Sequence, residues 1–199
     1  MRLNIVLFFM AVWLPVTFTE AQVPYARSIQ KFQREYVVNH EVVTNKDKKF
    51  FRFYPPSSDY KIEATFTRIW DTTGFMMPTS GREPKRYFRY GYIRFSLQGK
   101  NLQLTVFQSK DLMTDPTYRD YLFLPFTDLT SGEESYGGGR YIDLAMKDIK
   151  SNKLMIDFNK GYNPYCAYSS GYNCPIPPRE NDLPIAIRAG EKQFAKPGH

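Results

Sequence analysis

The chain is poor in histidine. His40 and the terminal His199 are the only two among 199 residues. That scarcity removes the usual base of a Ser-His or Cys-His site and leaves a Cys/His zinc centre short of ligands. Cysteine is equally rare: Cys166 and Cys174 stand alone. There is no GxSxG string to seat a serine nucleophile and no DxDxDG loop to seat calcium. No internal repeat or low-complexity tract is present, so a solenoid is not indicated. Beyond the first 21 residues no apolar run is long enough to span a bilayer. On these grounds no catalytic residue, metal site or cofactor is assigned.

What the chain does have begins with a leader. Arg2 precedes an almost wholly apolar run from Leu3 to Phe18, and Thr19-Glu20-Ala21 places small residues before a cut after Ala21. This is the pattern of a secretory signal peptide. The run is short for a membrane span and carries Pro15. The mature protein is therefore expected to be exported, periplasmic or extracellular in a bacterium. Residues 22–199 suffice for one domain with a core. The net charge of +7 suits polyanions in general and solubility in an anionic envelope. In an exported chain, two cysteines eight apart read first as a local disulfide, a staple worth about 2–3 kcal/mol.

Periodicity sorts the elements. Residues 24–39 place Tyr25, Ile29, Phe32 and Tyr36 at spacings of three to four after Pro24, as in an amphipathic helix packed on a core. After Asn45 the period becomes two. Tyr60, Ile62, Ala64 and Phe66 alternate with polar neighbours and predict a half-buried strand. Residues 70–84 read as a loop. Ile93, Phe95 and Leu97 face Leu102, Leu104 and Val106 across a hairpin turned at Gly99-Lys100. Residues 109–120 are a connection, and Tyr121 to Phe126 is extended. Arg140 to Leu144 and Leu154 to Phe158 predict two more strands joined as a hairpin through Met146 to Asn152. From Gly161 to Pro184 periodicity vanishes, and a last strand is expected from Pro184 to Arg188. The fold class is mainly β: an antiparallel sheet or partly closed barrel, with one N-terminal α-helix and an irregular, proline-rich C-terminal lobe.

Polar chemistry is concentrated in the last third. Basic Arg82, Lys85, Arg86, Arg89 and Arg94 alternate with aromatic residues, but a hairpin face explains them better than nucleic-acid binding, which is disfavoured. In TSGEESYGGGR, Gly137 to Gly139 precede a strand rather than a helix, so a phosphate loop is disfavoured too. That loop could bring Glu133, Glu134 and Arg140 together. Arg140 is either a bidentate clamp for an anion or internally paired with Asp143 or Asp157. Asp157 alternates with Ile156 and Phe158. A lobe folded over its face would bury Asp157 and Asn159, with Tyr162, Asn163 and Tyr165 as partners. The candidate ligand-binding residues are Glu134, Arg140, Asp143, Asp157, Asn159, Tyr162, Glu180 and Asn181. Their expected partner is a small anionic or polar ligand, or an envelope component. A carboxylate-dependent or metal-assisted hydrolase is the alternative, drawing on Asp128 and Glu133 as well.

These strings also carry a resemblance. LFLPFTD, GEESYGGGRYIDL, IDFNKGYNPYCAYSSGYNCPIPPREN and IRAGEK, in that order, resemble the domain of unknown function 1684 family. The likeness extends back through FFRFYPPSSDYKIEATF and RYGYIRFSLQGKNLQLTVFQ. The resemblance implies no reaction, substrate or cofactor. It also implies relatives without export signals that keep both cysteines, which leaves a packing, redox or metal role for the thiol pair beside the disulfide. The expected division is residues 1–21 as signal, 22–47 as helix and linker, 48–192 as the β-rich domain, and 193–199 as a polar tail.

Overall fold

A computed structural model of the chain describes residues 22–197; the expected leader, residues 1–21, lies outside them. Helix α1 (Gln22–Asn39) comes first and turns Ile29 and Gln33 into the protein, with Tyr25, Phe32 and Tyr36 half-buried. Strands β1 (Lys61–Arg68), β2 (Phe75–Met77), β3 (Lys85–Leu97) and β4 (Lys100–Ser109) follow. A single helical turn, α2 (Lys110–Met113), leads to β5 (Tyr121–Asp128), β6 (Arg140–Ala145), β7 (Lys153–Asp157) and the two-residue β8 (Asp182–Leu183). No helix among the described residues is long and apolar enough to cross a membrane.

The sheet runs in the order β6-β5-β4-β3-β1-β7, with β2 added on β3 and β8 on β5. All pairings are antiparallel except the short β5–β8 contact. The β3–β4 hairpin follows the alternation, but its turn is Gln98-Gly99, one residue earlier than the sequence suggests. Both turn residues have positive φ (52° and 73°), and Leu97 pairs with Lys100. That is the mirror-image turn matching strand twist. The segment 70–84, expected to be a loop, contributes β2.

The expected β6–β7 hairpin is not formed. The two strands occupy opposite ends of the strand order, and β7 pairs with β1 from Lys61↔Asp157 to Thr65↔Lys153. Both nevertheless bury side chains in one cluster: Ile142 and Leu144 from β6, Leu154 and Ile156 from β7. The sheet has therefore curled into a half-barrel whose ends approach without sharing a ladder, and Met146 to Asn152 crosses the seam. The expected strand Pro184–Arg188 is also corrected: ladder pairing is confined to Asp182–Leu183. Leu183, Ile185, Ile187 and Ala189 instead plug the concave core as an irregular segment.

Two smaller clusters lie outside this core. Met77, Tyr87, Phe107, Phe123 and Tyr141 cover the outer sheet face. Val43, Phe51, Ala167, Tyr168 and Phe194 pack beneath the end of α1, with Tyr36 against them. Cys166 and Cys174 are joined by a disulfide.

Candidate ligand-binding cleft

Most candidate residues are spent on holding the C-terminal lobe to the sheet. Arg140 is wholly enclosed, and its partner is Asp128 rather than Asp143 or Asp157. Nη2 donates to Asp128 Oδ2 at 2.5 Å and to the Ile187 carbonyl at 2.8 Å; Nη1 donates to the Ala189 carbonyl and to that of Glu191. A buried guanidinium needs such matching, because two desolvated charges recover their loss only with good geometry and full hydrogen bonding. No open face remains for an anion. The glycine just before it is required: Gly139 has φ +84°, and a Cβ there would lie 2.7 Å from the Phe126 carbonyl oxygen.

Glu180 and Asn181 fasten the lobe elsewhere. Glu180 pairs with Arg89 at 2.7 Å and accepts from the Thr105 hydroxyl. Asn181 is fully buried, accepts from Thr105 N–H, and donates to the carbonyls of Thr105 and Pro125. Glu134 does not meet Arg140; it forms a surface pair with Arg188. Asp157 is buried as expected, but its cover is α1 rather than the lobe. The Tyr25 hydroxyl donates to Asp157 Oδ1 at 2.8 Å, and Asn159 Nδ2 donates to Tyr25 Oη and to the Ser57 carbonyl. The carboxylates a hydrolase would pool are thus dispersed. Among the described residues, no three His, Cys, Asp or Glu side chains group as a metal site.

Asp143 and Tyr162 are the exceptions. They line a cleft of about 920 Å³ between α1 and the lobe. Asp143 Oδ1 accepts from the hydroxyls of Tyr121 (2.7 Å) and Tyr162 (2.6 Å). Burial, and then the neighbouring charges, push both phenols well above their ordinary range, so they stay protonated donors. Asp143 Oδ2 has no hydrogen-bond or ion-pair partner among the described residues. The strand alternation behind this is simple: Arg140 shares the inner face of β6 with Ile142, and Asp143 shares the outer face with Tyr141.

Sequence reasoning missed the other walls. Phe32, Tyr36 and Glu35 reach the cleft from α1, and Lys85 from the start of β3. Tyr165, just before the disulfide-closed segment, and Tyr172, within it, bring well-exposed phenol rings. His40, just past α1, is 6 % exposed. Its Nδ1 accepts from Val43 N–H, so Nε2 carries the proton, and that atom has no hydrogen-bond partner. Burial lowers the His40 pKa to about 4, so the ring is neutral. The rarity of histidine is the only sequence signal that could have marked it. Behind Tyr36, its hydroxyl shares a 3.0 Å hydrogen bond with that of Tyr168, which donates to the fully buried Glu191.

The disulfide and a facing loop fix the cleft rim. Ser80 N–H donates to the Cys174 carbonyl, Cys174 N–H donates to the Ser80 hydroxyl, and Asn173 Nδ2 donates to the Glu83 carbonyl.

No curated protein matches the chain. Among solved structures, it is similar to the solution NMR structure of the uncharacterized protein from gene locus rrnAC0354 of Haloarcula marismortui. The two are 30% identical, with 85% of this chain and 95% of that chain covered and a TM-score of 0.64. The family model described as protein of unknown function (DUF1684) matches residues 47–192, from the linker before the first strand through Lys192. With that match spanning the sheet, the lobe and the buried Arg140 network, the chain belongs to the DUF1684 family.

Proposed function

We propose that this is an exported protein that binds a small polar ligand in the tyrosine-lined cleft. One observation carries the reading: a carboxylate in the cleft wall is held on one oxygen by two phenols and has no protein partner for the other among the described residues. A volume of about 920 Å³ lies within the range of small-ligand sites, roughly 300–1,000 Å³. Aromatic walls with a few placed polar groups are the composition such sites share. Export is supported by the apolar leader and by the disulfide at the rim, which persists in an oxidising compartment.

The test is an NMR screen of the ¹⁵N-labelled protein against a panel of polar metabolites of all three charge types. The expected result is a compound that moves the Tyr36, His40 and Tyr162 resonances together and loses that effect in Tyr162→Phe. If no compound moves them, or binding maps only to surfaces away from α1, the cleft is not the site.

A further inference from the structure

The residue expected to recognise an anion, Arg140, is enclosed and committed to Asp128. What the cleft wall leaves open is a group of the opposite sign. Asp143 lines this space, and its carboxylate has no cation within ion-pair distance among the described residues. Two lysines line the cleft, but neither neutralises Asp143: Lys160 Nζ lies 5.6 Å over the Phe32 ring, and Lys85 forms no ion pair. The acidic side chains lining the cleft are Glu35, Glu41 and Asp143 and the basic ones Lys85 and Lys160, and Glu35 is already paired at 3.7 Å with Lys31 on its own helix. His40 adds nothing, being neutral. In a chain of net charge +7 this is a recess of balanced charge in a basic molecule, with Asp143 its carboxylate among the tyrosines.

The walls narrow the kind of cation. A hard metal ion takes six or more oxygen ligands or several carboxylates. No such grouping exists among the described residues. A diffuse organic cation needs one counter-charge and electron-rich ring faces. Both are present. Tyr36, Tyr141 and Tyr162 form a contiguous aromatic wall, with Tyr162 5.9 Å from each of the other two rings. Tyr165 and Tyr172 stand edge to face at 5.2 Å, with about 40% and 39% of their surfaces exposed. His40 Nε2–H is an unpartnered donor in this wall, buried among aromatic rings, and a ligand oxygen reaches it only where a covering ring such as Tyr165 shifts.

We propose that the cleft binds an organic ammonium ion, its charged head set between Asp143 and the tyrosine rings and an oxygen of its tail accepting from His40. This rests on the cleft being the binding site. The probe is choline, compared by calorimetry at low salt with 3,3-dimethylbutan-1-ol, its uncharged isostere. Choline should bind at least about tenfold more tightly, the ratio that about 1.4 kcal/mol of charge recognition gives. Asp143→Asn should abolish that preference without changing the melting curve. Tyr165→Ala, at an exposed ring, should weaken choline binding even if the first variant folds poorly. Equal binding of the isostere, or choline affinity unchanged in both variants, overturns the proposal, as does no choline binding. If choline fails while an anionic or neutral metabolite still moves Tyr36 and Tyr162, the cleft reading survives and only the ammonium assignment falls. If nothing moves them, both fall.

Discussion

Arg140 and Asp143 lie three residues apart on β6 and end in opposite situations. On the inner face, Arg140 spends both terminal nitrogens on Asp128 and three carbonyls and is sealed from water, with only its Nε–H left unpartnered. On the outer face, Asp143 is equally well positioned but keeps one oxygen unpaired. Both belong to the same dense polar stretch. The difference teaches that polar density marks constraint, and that accessibility at a cleft, rather than polarity or an unmet donor alone, separates a recognition surface from a fastening.

The contrast should break most visibly at Arg140. Arg140→Ala strands Asp128 in the core and should lower unfolding free energy by about 3–5 kcal/mol in urea titrations. Asp143→Asn should leave that midpoint near wild type; equal losses for the two would erase the distinction between the faces.

Glu191 sharpens the comparison, since it lies inside while its hydroxyl chain reaches Tyr36 in the cleft wall. Burial pushes its carboxyl up to about 8, from an ordinary value of 4.5. Between those pH values the native state keeps a proton that the unfolded chain has lost. Its contribution to stability is therefore full below about pH 4.5, falls as pH rises, and levels off above about 8. Glu191→Gln should flatten the decline of melting temperature as pH rises to about 8, most cleanly above about pH 7.5, where the unfolded-state His40, with its ordinary value of 6.5, has lost most of its proton. An unaltered slope would remove Glu191 from the account.

The smallest effect belongs to the surface pair. Glu134→Gln, which weakens the surface contacts with Arg188 and Tyr54, should change the melting temperature little and leave ligand binding unchanged. A loss of binding there would move the site away from Asp143.

Much of the sheet was legible because burial on one face imposes a period of two. Ile93, Phe95 and Leu97 mark β3, and Leu102, Leu104 and Val106 mark β4, without ambiguity. What failed was pairing. Nearness in sequence suggests a β6–β7 hairpin, but β7 finds its ladder on β1, some ninety residues earlier, and local pattern carries no trace of that partner. The site was legible in the same uneven way. Asp143 and Tyr162 stood among the candidates, and the burial of Asp157 followed from its alternation. Tyr36 was read as core because a residue half in the core and half in a cleft wall has the same helical spacing as one wholly inside. The spacing of Arg140 points to acids on its own and the next strand because Asp128, twelve positions earlier across the β5–β6 loop, gives no periodic signal.

The roof of the cleft has a consequence for the order of events. Tyr25 reaches Asp157, and Tyr36 reaches Tyr168, each across 132 residues of chain. Such contacts reward the chain only after a long loop has closed, so the roof is a late clasp on a sheet already assembled. A molecule held beneath that clasp would tie the beginning of the domain to its end, and fraying from the N-terminus would have to release it first.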